Sequence, residues 1–116
     1  MSKTIIWHNP RCSKSRNAAA LLEEKGIDAE VVKYLDTPPS REEIVEVLGM
    51  LGVSARELMR TKEEIYKTLN LKDENNEDKL IDAMVANPKL IERPIVIKDG
   101  KAAVGRPIEN IIELLG

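Results

Sequence analysis

The stretch TIIWHNPRCSKSRNAAALLEEKGIDAEVVK, residues 4–33, decides the fold. Thr4 to Trp7 is short and β-rich and runs into His8-Asn9-Pro10, a strand followed by a tight loop. From about Ser13 to Lys25 the pattern is helical: Ala18, Leu21 and Leu22 fall at i, i+3 and i+4, and Gly26 supplies the stop. Ala29 to Lys33 reads as a second strand. Strand, helix and strand within about 30 residues make a βαβ unit, whose two strands run parallel.

Outward from this unit, Thr37-Pro38-Pro39 breaks the chain. Ser40 and Glu43 frame a capping box. The helix that it opens carries Ile44, Val47, Leu48 and Leu51 on one face. Ser54 with Glu57 starts a shorter helix ending near Met59, and Glu63 to Leu69 predicts another. Lys72 to Lys79 is highly charged and reads as an exposed loop, no more than solvated surface. Leu80, Ile81, Met84 and Val85 mark one more helix, ended by Pro88. The chain then returns to β. Ile95 to Ile97, Asp99-Gly100 and Ala102 to Val104 predict a hairpin, because Asp-Gly suits a type I′ turn. Pro107 suits the first position of a final helix, whose stripe is Ile108, Ile111, Ile112 and Leu115. The order is β-α-β, a helical insertion over about 40–87, then β-β-α. That predicts an α/β chain of thioredoxin-like fold with a mixed four-stranded sheet, one domain over 1–116.

The bulk properties agree. A chain of 116 residues is one domain's worth, and 42% hydrophobic residues argue against disorder. With no Phe, one Trp and two Tyr, the core must be mostly aliphatic. A net charge of −2 and a pI near 5.5 argue against nucleic acid as a partner. No apolar run is long enough for a membrane span, and Met1 to Trp7 is too short and too soon interrupted for a signal peptide. The single cysteine can make neither an internal disulfide nor a Cys-rich metal site. A reducing, cytoplasmic home is expected.

That cysteine, Cys12, lies between a strand end and a helix start, where α/β folds mount their chemistry. The first-turn N–H groups of a helix lack internal partners, lower a thiol's pKa and bind anions. Arg11, Lys14 and Arg16 push the same way, and His8 is near enough through the loop to help hold a thiolate. A lone cysteine is more often buried and inert; here polar and basic neighbours favour a reactive one. For His8 a plain loop histidine is the alternative, and Lys14 reads as solvated charge. Ser15 stands where a dithiol oxidoreductase needs a second Cys, and Ala18 stands where a Cys-x5-Arg phosphatase loop needs Arg. A redox role for Cys12 therefore needs a thiol from another molecule, glutathione or a small thiol protein.

Seven arginines are present, and two stand before prolines at junctions: Arg93-Pro94 enters the hairpin and Arg106-Pro107 leaves it. Proline holds the preceding residue extended, which aims these side chains. The fold would let Arg93 face Cys12, and Arg60 in the insertion could close over the same spot. The planar guanidinium fork suits a multi-oxygen anion. Ordinary surface arginines are the alternative for any one of them. Sequence alone sets Pro94 trans, since only about 5–6% of X–Pro bonds are cis.

The segment from His8 to Asn17 resembles the active-site segment of the glutaredoxin-coupled arsenate reductases. Arg60 in Glu57-Leu-Met-Arg60, Arg93 in Glu92-Arg93-Pro94 and Arg106 in Gly105-Arg106-Pro107 match that family's three arginine positions. Tyr34 to Pro39 and Asn87 to Ile91 match as well, so the resemblance runs from Thr4 to Leu115. The chain looks like the short branch without the C-terminal extension. The resemblance implies a thioredoxin-like fold with a cis Pro94. It implies catalytic roles for Cys12, His8 and Ser15, with Cys12 attacking arsenate and the other two keeping the thiolate ready. It implies that Arg60, Arg93 and Arg106 hold the oxyanion; Arg16, close to Cys12, joins them as a binding candidate. Glutathione is the implied co-substrate and glutaredoxin the partner, with arsenite as product. No bound cofactor and no metal are expected, and the chain is expected to act as a monomer. Two other functions are a glutathione-dependent thiol reductase of another substrate and a redox-sensing regulator that binds RNA polymerase. The regulators often keep a Cys-x-x-Cys switch, which Ser15 breaks.

Overall fold

The computed structural model describes residues 4–106 and 108–115. The chain forms two compact units, residues 1–37 with 93–116 and residues 38–92.

The first unit is built on β1 (Thr4–Trp7), α1 (Ser13–Glu24), β2 (Ala29–Val32), β3 (Ile95–Lys98), β4 (Lys101–Val104) and α6 (Glu109–Leu115). The sheet order is β2-β1-β3-β4. β1 and β2 are parallel, as a βαβ crossover demands, while β1–β3 and β3–β4 are antiparallel. This is the mixed four-stranded sheet of a thioredoxin-like fold. The β3–β4 link has two residues, Asp99 and Gly100, both at positive φ (53° and 75°), as a type I′ turn requires. Ile6, Ala18, Leu22, Val96 and Ile111 form its core, with Leu21, Leu114 and Leu115 packed against them.

The last helix differs from expectation in one respect. Ile112 is 44% exposed, and Leu114 takes its place on the buried side. With Ile111 facing the sheet, the positions three and four residues on share its face, whereas the next residue is turned about 100° away. The expected placing of Pro107 lies outside the described residues.

The register sets up the chemistry. Trp7, the last residue of β1, pairs with Val32 on one side and Ile95 on the other, and Ile95 pairs with Val104. The loop after β1, the chain entering β3 and the chain leaving β4 therefore meet at one end of the sheet. The bond between Arg93 and Pro94 is cis.

The second unit is helical: α2 (Arg41–Leu51), α3 (Ala55–Leu58), α4 (Glu64–Thr68) and α5 (Glu77–Ala86), with 3-10 turns at Leu71–Asp73 and Pro88–Leu90. Both expected capping boxes form, Ser40 with Glu43 and Ser54 with Glu57. Such a cap is worth about 1 kcal/mol. Ile44, Val47 and Leu48 of α2 and Leu80, Ile81 and Met84 of α5 are buried, and α5 packs on α2 and α3.

The segment expected as solvated loop, Lys72 to Lys79, is corrected at both ends. Glu77 to Lys79 already belong to α5, because Asn76 caps that helix by accepting from the N–H groups of Asp78 and Lys79. Its start is pinned by Arg56, whose guanidinium donates to Tyr66 Oη (2.8 Å), to the carbonyls of Leu71 and Lys72 (3.1 Å each) and to that of Glu74. One guanidinium thus serves three carbonyls of this segment, of which Leu71 O also accepts from Glu74 N (3.1 Å). No helix among the described residues is long and apolar enough to cross a membrane.

Candidate active site

Cys12 is the N-cap of α1, extended at φ −98° and ψ 123°, so its side chain sits at the open end of the helix. Its own N–H donates to Asn9 O (3.0 Å) and its carbonyl accepts from Arg16 N (2.9 Å). The loop is thereby closed on one side and the helix started on the other. Cys12 is only 8% exposed. Burial by itself pushes the thiol up. The backbone N–H of Ser15, the Arg93 guanidinium, the backbone N–H of Lys14 and the Arg106 guanidinium all pull it down, and the balance falls below the ordinary thiol value. Helix-start donors and two cations thus outweigh desolvation, which is how reactive cysteines are made.

The two arginines come from the far end of the chain. Arg106 Nη2 donates to Cys12 Sγ at 3.4 Å, and Arg106 Nε donates to Arg93 O at 2.7 Å. Arg93 keeps its Nε and Nη1 out of solvent. A charge held in such low-dielectric surroundings acts more strongly on its neighbours.

His8 and Ser15 form a separate stitch. His8 Nδ1 and Ser15 Oγ share a hydrogen bond of 2.6 Å, and Ser15 Oγ also accepts from Asn9 N at 2.9 Å. Ser15 is fully buried. The side chain of Ser15 therefore anchors the loop, while its backbone N–H faces the sulfur. His8 acts on Cys12 through Ser15 in this arrangement. Burial lowers the His8 pKa, and the charges of Lys33 and Arg16 add to the shift, which favours the neutral ring.

Arg16, a candidate for the oxyanion, is exposed, and its Nη1 donates to Pro10 O at 3.0 Å, which braces the loop. Arg60 lies in the helical unit, where its N–H donates to Leu90 O (2.7 Å) and its guanidinium pairs with Glu63. Lys14 and Arg11 are exposed. A groove of about 430 Å³ in the first unit, lined by Ile6, Leu22, Ile27 and Val31 among others, contains none of the candidate residues. The chemistry at Cys12, rather than the size of a cavity, marks the site. Among the described residues no three His, Cys, Asp or Glu side chains cluster as metal ligands would.

Sequence reasoning missed Lys33, which acts on His8, and Asn9, whose Oδ1 accepts from Arg11 N (3.0 Å) while its N–H serves Ser15. An Asn ahead of a proline in a tight loop is a readable sign of such a turn.

The model of the ArsC family matches residues 7–114, from the last residue of β1 to the penultimate residue of α6. The chain belongs to the ArsC family. Among the relatives of this ArsC chain is a Neisseria meningitidis protein named arsenate reductase. It is 56% identical over 117 residues, which cover 99% of this chain and 100% of the relative. Another protein of that name, from Escherichia coli K12, is 40% identical over 116 residues, covering 99% of this chain and 82% of the relative. A solved structure described as arsenate reductase from Vibrio cholerae superimposes with a TM-score of 0.92. It is 51% identical and covers 96% of each chain.

Proposed function

We propose that this ArsC-family chain is an arsenate reductase of the cytoplasm that draws its electrons from glutathione through glutaredoxin. The observation that carries the reading is the Cys12 sulfur, which meets the backbone N–H groups of Lys14 and Ser15 together with the charges of the Arg93 and Arg106 guanidiniums. Such a sulfur is a nucleophile in a cradle for negative charge. The names of relatives at 40–56% identity support arsenate as the anion.

In the proposed reaction the Cys12 thiolate attacks arsenic. An S–As bond forms, and one arsenate oxygen takes a proton and leaves as water. Glutathione then attacks the arsenic, arsenic accepts the two electrons that the thiols give up, and arsenite departs. Cys12 and glutathione are left joined by an S–S bond, and a glutaredoxin thiol breaks it, taking the glutathione as its own mixed disulfide and returning Cys12 to the thiol. Overall, arsenate and two thiols give arsenite, one disulfide and water. Arg93 and Arg106 offset the charge that builds up on the oxyanion, and Arg60 is a third candidate for it through the family resemblance alone. Loss of one preorganised donor of this kind costs on the order of 100-fold or more in rate. The chemistry calls for no metal or bound cofactor, and for one chain per site.

The test is arsenate-dependent NADPH oxidation with glutathione, glutathione reductase and glutaredoxin. Turnover that vanishes in Cys12→Ser and falls without glutaredoxin is expected. No turnover from a chain whose Cys12 is still rapidly alkylated would assign the site to another substrate.

A further inference from the structure

Gly105 has no obvious conformational reason to be glycine. Its φ lies outside the left-handed region, unlike those of Gly26, Gly52 and Gly100. What position 105 demands is room. A Cβ there would stand 2.6 Å from Ile111 Cδ1, 2.8 Å from Pro94 Cγ and 3.4 Å from Ile111 Cγ1. The first two distances are far inside van der Waals contact, so something would have to move.

Neither neighbour can yield easily. Pro94 Cγ is a ring atom that can move only by a change of pucker, and Pro94 is fully buried. Ile111 Cδ1 ends a flexible side chain, but Ile111 is completely buried among Ile6, Ala18, Leu22 and Val96. A close-packed core has no vacancy into which a methyl can swing. The part left to give is the backbone at 105 itself.

That backbone is tied to the reactive sulfur. Gly105 N donates to Pro94 O at 2.9 Å, which binds the chain leaving β4 to the chain entering β3. The next residue is Arg106, whose Nε reaches Arg93 O (2.7 Å) and whose Nη2 reaches Cys12 Sγ (3.4 Å). We infer that Gly105 is a positioning residue for Cys12: its missing Cβ lets the end of β4 close on Pro94, and this closure sets Arg106 against the sulfur. The inference rests on Cys12 working as a thiolate and not on arsenate being the substrate.

The experiment is the pH dependence of Cys12 alkylation by iodoacetamide, which needs neither arsenate nor a partner. In Gly105→Ala the profile moves to higher pH and alkylation at pH 7 slows several-fold. Ile111→Val removes Cδ1, the atom nearest the added methyl, so Gly105→Ala/Ile111→Val recovers part of the rate. Arg106→Ala shifts the profile on its own, and adding Gly105→Ala to it shifts the profile no further. If Gly105→Ala fails to fold, the comparison is made with Ile111→Val as the parent. A wild-type profile in the alanine variant overturns the proposal, as does an additional shift when both Gly105 and Arg106 are replaced. A wild-type profile in Arg106→Ala alone would overturn the underlying reading of the sulfur's environment, which keeps the two failures apart.

Discussion

Arg106 Nη2 lies 3.4 Å from Cys12 Sγ, although the two residues are 94 positions apart in sequence. The sheet explains the meeting: β1 ends where β3 begins and β4 ends, so the loop bearing Cys12 and the turn bearing Arg106 share one end. Removing the charge in Arg106→Ala or Arg93→Ala should raise the thiol pKa and slow Cys12 alkylation at pH 7 several-fold. The rate at high pH, where every thiol is ionised, should hardly change. Arg106→Lys should recover part of the loss, because it restores charge but not the planar fork. Stopped alkylation followed by mass spectrometry across pH reads all three.

His8 is the chain's one histidine, so its ring resonances can be followed without ambiguity. Its midpoint should lie below the ordinary 6.5, first through burial and then through Lys33 and Arg16. The folded ring thus binds a proton less readily than the unfolded one. The contribution of His8 to stability is full above 6.5 and is lost as pH falls from 6.5 through the folded midpoint. An NMR titration checks the midpoint. Lys33→Gln should move it upward, and His8→Gln should flatten the fall in stability over that window.

Ser15→Ala removes a buried hydroxyl that serves both Asn9 N and His8 Nδ1. Leaving the partners of a buried hydrogen bond unmatched costs about 1–3 kcal/mol. Chemical denaturation should show a loss of that order. The backbone N–H at position 15 remains in the variant, so the Cys12 profile should move less than it does in Arg106→Ala.

In the helical unit, Arg56→Ala should cost about 1–3 kcal/mol, since three loop carbonyls and Tyr66 Oη lose a charged donor together. Hydrogen exchange should rise across residues 69–76 more than in α2. A solvated loop with no anchor would show protection unchanged from the parent.

Glu63 now occupies the Arg60 guanidinium. If that arginine takes an arsenate oxygen in turnover, the carboxylate competes with substrate. Glu63→Gln should then lower KM for arsenate several-fold with little effect on kcat. Equal KM in the two proteins would remove Arg60 from the substrate site.

Much of this was legible in the residues themselves. The spacing of Ala18 and Leu22, the Asp99-Gly100 turn and the Ser40 and Ser54 boxes each state a local rule that the fold obeys. The place of Cys12 at a helix start was equally local. The missed features are of two kinds. Asn76 followed by Glu77 and Asp78 is a helix-start signal, hidden by the charge of its neighbourhood. Arg56 and Gly105 carry no local mark, because their demands come from Glu74 O, Pro94 and Ile111, which only the folded chain brings near. Arg16 likewise makes a contact that no local pattern announces, the hydrogen bond from its Nη1 to the Pro10 carbonyl. The cis bond before Pro94 ran against the general preference of X–Pro bonds and followed only from family resemblance.

The most direct test is the rate of Cys12 alkylation at pH 7 with and without arsenate. A sulfur whose pKa is lowered in an oxyanion cradle should react faster than a free cysteine at that pH, and saturating arsenate should slow it by occupying Arg93 and Arg106. A rate no faster than that of free cysteine, unchanged by arsenate, would contradict the account.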